Sequence, residues 1–329
     1  MITKHMPKDY KKLLTVPLIL FILCISIIGY SYLTKGYILE KSIDFEGGTE
    51  ASVLVADADY NLAELEITAK DMFGETATVR KTENVLGTSI NIQSKSEISM
   101  EDFEEYITLT GITVIETDDT TRPINIYTIG SSVSDIFLRQ AQIGIIAAFI
   151  FMGIIVFLVF KSYVPSLAII STAGMDILFA VTMMSLTGIE LGLGSLAALL
   201  MLIGYSVDTD ILLTTKLLRR KSEGTLEERI EDSMKTGITM TTAAIAAFIV
   251  LYLASPSKVL DDISLVIIFG LTADYITTWF QNVGILRWYL KDSETEKEKK
   301  EKRKKDHSTY VANKKTAQKS RRQRKQKKK

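Results

Sequence analysis

Leu191–Thr214, LGLGSLAALLMLIGYSVDTDILLT, places two carboxylates, Asp208 and Asp210, inside one of the most apolar stretches of the 329-residue chain. A carboxylate at the centre of a bilayer costs roughly 2.5–3.5 kcal/mol even on the lenient insertion scale. Two in one membrane helix therefore need a purpose. Asp176 in STAGMDILFAV and Asp274 in FGLTADYITTW fall near the middle of two further apolar runs. Such residues serve either a proton or ion path, or a polar network that locks helices together. Asp208 and Asp210 are two residues apart, so they project about 200° apart around a helix and cannot line one narrow face. The chain reads as a membrane protein whose chemistry lies within the bilayer.

Six apolar runs are long enough, or nearly so, to cross about 30 Å of hydrocarbon, at 13–32, 142–160, 164–186, 191–214, 237–254 and 263–286. The first has no small-residue cleavage site and reads as a retained helix, not a signal peptide. The expected order is a short terminus at 1–12, helix one at 13–33, a polar domain at 34–140, helices two to six at 141–290, and a tail at 291–329. The formal charge of zero conceals a strong asymmetry. Residues 34–140 carry 8 Lys and Arg against 20 Asp and Glu, whereas 291–329 carry 18 against 6. Basic segments are retained in the cytoplasm, which predicts cytoplasmic termini and an extracytoplasmic 34–140. Cys24 is the only cysteine, and His5 and His307 are the only histidines, so neither a disulfide framework nor a thiolate or imidazole metal site is expected. No Walker loop, nucleophile triad or metal cluster is present, and no cofactor or enzymatic activity is expected.

Within the polar segment, TEASVLVADA alternates as a strand and NLAELEITAKDMFG has helical spacing between Asn61 and Gly74. ATVRKTEN and TSINIQSK read as strands around a turn at Gly87. SMEDFEEYITLTG reads as a second helix between Ser99 and Gly111, and ITVIETDD as a last strand. The β-α-β-β-α-β order predicts a ferredoxin-like α+β domain between helices one and two of a polytopic α-helical membrane protein. The tail has no apolar periodicity and is expected to be disordered. Its charge suits anionic lipid headgroups first and ribosomal RNA second.

Two stretches carry a family resemblance. Asp44-Phe45-Glu46-Gly47-Gly48-Thr49 follows the first helix, and Gly204-Tyr205-Ser206-Val207-Asp208 lies in the fourth. With the six-helix layout they resemble SecF, partner of SecD in the protein-export accessory complex and a member of the resistance-nodulation-division superfamily. The Asp208-Thr209-Asp210 order, Asp274, and Lys235 where the family usually has Arg all resemble an archaeal-type member. The resemblance implies a non-enzymatic subunit that pairs with SecD beside the Sec translocon channel and supports export of polypeptides, drawing on the proton or sodium gradient. Asp208, Asp210, Asp176, Asp274 and Lys235 are the coupling candidates, with Asp208 foremost, and Thr239, Thr241 and Thr242 are possible hydrogen-bond donors to them. One of Asp208 and Asp210 would then face SecD and the other the helix bundle. The alternatives are a small-molecule or lipid transporter subunit of the same superfamily, and a passive scaffold whose carboxylates only hold helices together.

Overall fold

The computed structural model describes residues 10–55, 60–84, 87–115, 124–220, 224–255 and 257–291. Helix α1 runs Tyr10–Lys35, the one-turn α2 spans Ile43–Glu46, and strand β1 spans Gly48–Val55. Helix α3 (Leu62–Phe73), β2 (Thr78–Asn84), β3 (Gly87–Ser94), α4 (Met100–Thr110) and β4 (Ile124–Ile129) complete a small domain. Five long helices follow: α5 (Ser131–Phe160), α6 (Tyr163–Thr187), α7 (Leu193–Leu218), α8 (Leu226–Ala254) and α9 (Lys258–Ile276). The chain leaves α9 through a π-helical turn at Thr277–Asn282 and stays helical over 283–291.

The α+β domain is built as its local signals dictate. Asn61 Oδ1 accepts from the Ala63 amide and opens α3, while Ser99 Oγ accepts from the Asp102 amide and opens α4, so each satisfies an otherwise orphaned helix donor. Gly111, at φ +66°, closes α4. The four strands form one antiparallel sheet in the order β2-β3-β1-β4. Alternation along β1 sends Ala51, Val53 and Val55 to the face covered by Leu65, Phe73, Phe103 and Tyr106. Tyr106 donates to the Leu65 carbonyl at 2.8 Å, and burial pushes its phenol above the ordinary range.

The last strand is a correction. It is Ile124–Ile129, with Glu50 opposite Tyr127, and not the expected 112–119. Val114 makes only an isolated bridge to Val55, and Ile112 drops into the domain core. Residues 116–119 lie outside the described residues, as does the basic tail.

Among the described residues, five helices are long and apolar enough to cross a membrane, namely α1 and α5 to α8. The expected sixth run, 263–286, is helical but is divided by the π-helical turn. Two helices start earlier than hydropathy suggests. Helix α5 begins at Ser131, where Ser134 Oγ donates to the Ile43 carbonyl at 3.1 Å and ties its first turn to α2. Helix α8 begins at Leu226 behind a reciprocal cap between Thr225 and Glu228. Polar first turns of this kind are invisible to a hydropathy window. Helix α7 is central, lying against α6, α8 and α9. Of its most apolar stretch 56% is buried, against 11% for α5 and α8, which form the outside of the bundle.

The domain joins the helices through Gly47 and Gly48, at φ +79° and +136°. A Cβ on Gly47 would stand 2.9 Å from Ser131 Cα, and one on Gly48 would press on the Ser94 carbonyl oxygen. A side chain held in such a conformation costs about 1–3 kcal/mol before the clash is counted. Gly48→Ala should therefore loosen the domain, with faster proteolysis within residues 48–129 while the helices stay protected. Unchanged digestion would contradict this account of the junction.

Candidate functional site

Polar side chains recur every fourth residue on three helices: Thr172 and Asp176 on α6, Ser206 and Asp210 on α7, Asp274 and Thr278 from α9 into the π-helical turn, then Asn282. That spacing stacks each set on one helix face. The three faces meet, and Asp176, Asp210 and Asp274 are all fully buried. A buried carboxylate needs donors, and each finds them on a neighbouring helix. Asp176 accepts from Ser206 Oγ at 2.5 Å and Thr277 Oγ1 at 2.6 Å. Asp210 accepts from Thr172 Oγ1 and from Asn282 Nδ2 at 2.7 Å, and its Oδ1 lies 3.0 Å from Thr278 Oγ1. Asp274 accepts from Thr278 Oγ1 at 2.8 Å and Thr241 Oγ1 at 3.3 Å.

The π-helical turn makes this convergence possible. Its wider winding lets consecutive residues address different partners, Thr277 to Asp176 and Thr278 to Asp210 and Asp274. Thr278 also imposes a proton count. A hydroxyl has one proton to give, yet Thr278 Oγ1 lies within hydrogen-bond distance of two carboxyl oxygens. It can donate to one only. The second contact is attractive when that carboxyl itself carries a proton. Asn282 Oδ1, Thr214 Oγ1 and Trp279 Nε1 are buried nearby in sequence without partners. Among the described residues, no group of three or more His, Cys, Asp and Glu is placed to hold a metal ion.

The remaining candidates lie elsewhere. Asp208 projects from the exposed side of α7, away from Asp210. Its neighbours there include Tyr205, packed edge-on against Phe248 at 5.9 Å, and exposed Gly204. Lys235 does not approach the cluster. It is exposed and pairs with Glu231 at 3.2 Å. Of the three candidate donors only Thr241 reaches a carboxylate, for Thr239 donates to the Lys235 carbonyl, and Thr242 to that of Ile238.

The Asp44–Thr49 motif has an architectural task. Asp44 Oδ2 accepts from the Leu193 amide at 2.8 Å and from Ser42 Oγ at 3.1 Å, capping α7 from a distant part of the chain. A carboxylate there also suits the positive end of the α7 dipole. Gly192 leaves the room, since a Cβ would stand 2.9 Å from Asp44 Oδ2. Phe45 is buried, and Thr49 Oγ1 meets Thr128 Oγ1 at 3.1 Å.

Comparison with known proteins assigns this architecture. The family described as protein export membrane protein SecD/SecF, C-terminal, matches residues 112–292. The protein-export membrane protein SecF of Methanothermobacter thermautotrophicus is 39% identical over 290 residues, 86% of this chain and 94% of that one. The chain belongs to the SecF family. The SecF of Methanocaldococcus jannaschii is 38% identical over 301 residues, 89% of this chain and 100% of that relative. The crystal structure of SecDF, a translocon-associated membrane protein from Thermus thermophilus, shares the fold with a TM-score of 0.64 at 20% identity. That match covers 85% of this chain but only 38% of the SecDF chain. The chain is thus a multi-pass membrane protein of the archaeal-type SecF family.

Sequence reasoning found the three clustered carboxylates but missed most of their donors. The signal was present in the four-residue spacing of Asp274, Thr278 and Asn282, but hydroxyls in apolar runs are common and carry little weight alone. Thr278→Val keeps the shape and removes the shared donor. It should destabilise the detergent-solubilised protein by about 1–3 kcal/mol, read as a lowered Tm, whereas Thr278→Ser should stay near wild type. Equal melting of both would remove Thr278 from the network.

Proposed function

We propose that this chain is the SecF half of a SecD–SecF unit that couples an ion gradient, the proton gradient first, to polypeptide export through the Sec translocon. It acts as a transport subunit and not as an enzyme. Six helices cross the membrane, the sixth being α9 with its π-helical turn, and both termini are cytoplasmic. The domain between α1 and α5 is extracytoplasmic and ferredoxin-like, a reading that the β2-β3-β1-β4 order and the two intervening helices support. The basic tail meets anionic lipid headgroups and, secondarily, the ribosome.

The observation that carries the coupling is the sharing of Thr278 between Asp210 and Asp274. These carboxyls are held by α6, α7, α8 and the π-helical turn, so a change in proton occupancy changes which helices attract one another. A proton entering from one side favours one pairing, and its release favours the other. The competing scaffold reading draws on the same geometry, because every clustered carboxylate has donors. Asp210→Asn separates the two. It preserves shape and most donors but fixes the charge at zero. Gradient-driven export by reconstituted complex should fall at least about tenfold, the scale of one lost coupling interaction, with SecD association intact. Normal export would refute the coupling, and loss of SecD association would favour the scaffold.

SecD pairing rests on Asp208. An exposed carboxylate on a membrane helix costs roughly 2.5–3.5 kcal/mol against lipid, so this face of α7 needs a protein cover. The SecDF chain is long enough to contain a further unit of this size, which supports SecD as that cover. Asp208→Trp should block co-purification of SecD in mild detergent, whereas Lys235→Gln should not. Full recovery of SecD with Asp208→Trp would place the interface on another face.

A further inference from the structure

Glu190 lies outside the carboxylate cluster and no part of the mechanism above uses it, yet it is among the most buried charges in the molecule, with 3% of its side chain exposed. It sits in the short α6–α7 connection, just before the start of α7. Arg80 of β2 reaches Glu190 Oε1 at 2.9 Å and Glu40 Oε2 at 2.8 Å, and donates to the Gly188 carbonyl. Gln93 of β3 donates to Glu190 Oε2 at 2.9 Å and to Glu50 Oε2 at 2.8 Å. Lys258, the first residue of α9, lies 3.5 Å from Glu190 Oε2 and 3.7 Å from Glu50 Oε2. One carboxylate thus gathers two strands of the domain and the beginning of α9 onto the beginning of α7. Glu190, Gln93, Glu50 and Lys258 also line a cavity of about 700 Å³ between the polar face of the sheet and the ends of α7 and α9.

The placement of these contacts along the helices is informative. Helix α7 runs from this junction to Asp210, and α9 runs from Lys258 to Asp274. At 1.5 Å per residue each leg is about 25 Å long. The pair of helices that meets at Thr278 in the membrane is therefore the pair bridged by Glu190 and Lys258 at the domain. A sliding of α7 against α9 at one end must appear at the other, because neither leg contains a break before its carboxylate.

We propose that Glu190 is a positioning residue that ties the α+β domain to the two helices of the carboxylate cluster, so that a change of pairing at Asp210 and Asp274 is delivered to the domain. This rests on the coupling function proposed above and adds the connection through which it acts. The domain is gripped by the α7 leg through Arg80 and Gln93, and by the α9 leg through Lys258 and Glu50. Relative motion of the legs turns the domain as long as Glu190 holds both sides.

Pulsed electron paramagnetic resonance on the full chain assembled with SecD tests this. Spin labels are placed at Glu105→Cys on α4 and Leu186→Cys at the end of α6, after Cys24→Ser removes the only native thiol. Asp210→Asn should shift the label distance by a few ångströms, the scale of helix displacements in switching proteins. Adding Glu190→Gln should reduce that shift to less than half, and Lys258→Met should do the same while leaving Arg80 and Gln93 on Glu190. A full shift in both variants overturns Glu190 as the link. If Glu190→Gln fails to assemble, the Lys258→Met result decides alone. No shift with Asp210→Asn in the otherwise unaltered chain overturns the coupling function itself, and the inference falls with it.

Discussion

The bilayer offers no water to a buried carboxylate, and that one constraint organises the helix bundle. Each of Asp176, Asp210 and Asp274 must find its donors on protein, and a single helix cannot supply enough of them at the right angles. The donors come from α6, α7, α8 and the π-helical turn. Helix positions are then set as much by hydroxyl reach as by apolar packing. Lipid tails are as apolar as leucine, so apolar contact alone would do little to choose among arrangements of greasy helices. The carboxylates supply the choice, at the expense of stability that an all-apolar bundle would retain.

The same economy of partners links the bundle to the domain. Helix α7 needs its first amides satisfied: its own Ser195 Oγ accepts from the Gly192 amide, while the Leu193 amide is met by Asp44, which sits more than a hundred residues earlier in the chain. The glycines of the Asp44–Thr49 motif exist because the backbone must turn sharply between that cap and β1. What resembles a linear family signature is a joint, in which one acidic side chain, two glycines and one buried threonine hold a sheet against helix ends.

Much of this was legible from residue order alone. Alternation in β1 and the caps of α3 and α4 follow from local chemistry, and the structure has them where pattern places them. The clustered carboxylates were visible because charge in an apolar run is rare. The partners were not, because a threonine in a membrane helix has several ordinary uses and only three-dimensional proximity separates Thr278 from Thr272, which merely bonds its own helix. The strand expected at 112–119 failed for a related reason. Its alternating pattern is real, but β1 has one free edge there, and Ile124–Ile129 occupies it. Lys235 stands where the family pattern places a cation, but its own helix offers it Glu231 one turn away.

Asp208 and Asp210 together restrict how α7 can move. Asp210 is gripped from two sides, by Thr172 of α6 and by Thr278 and Asn282 beyond α9. Asp208 points to the opposite side, where a charge demands protein cover. A rotation of α7 about its axis would carry Asp210 away from its donors and turn the Asp208 carboxylate toward the apolar bundle, with both penalties rising together. The start of α7 is tied to α2, and through it to the domain, by Asp44 on the Leu193 amide, so an axial displacement of α7 carries that joint with it. Sliding or tilting along the helix axis keeps both carboxylates on their own sides while changing which oxygen Thr278 serves. The coupling proposed above therefore calls for an axial motion of α7 against α9 and not a rotation, and an axial motion is the kind that a domain seated on the ends of those helices can follow.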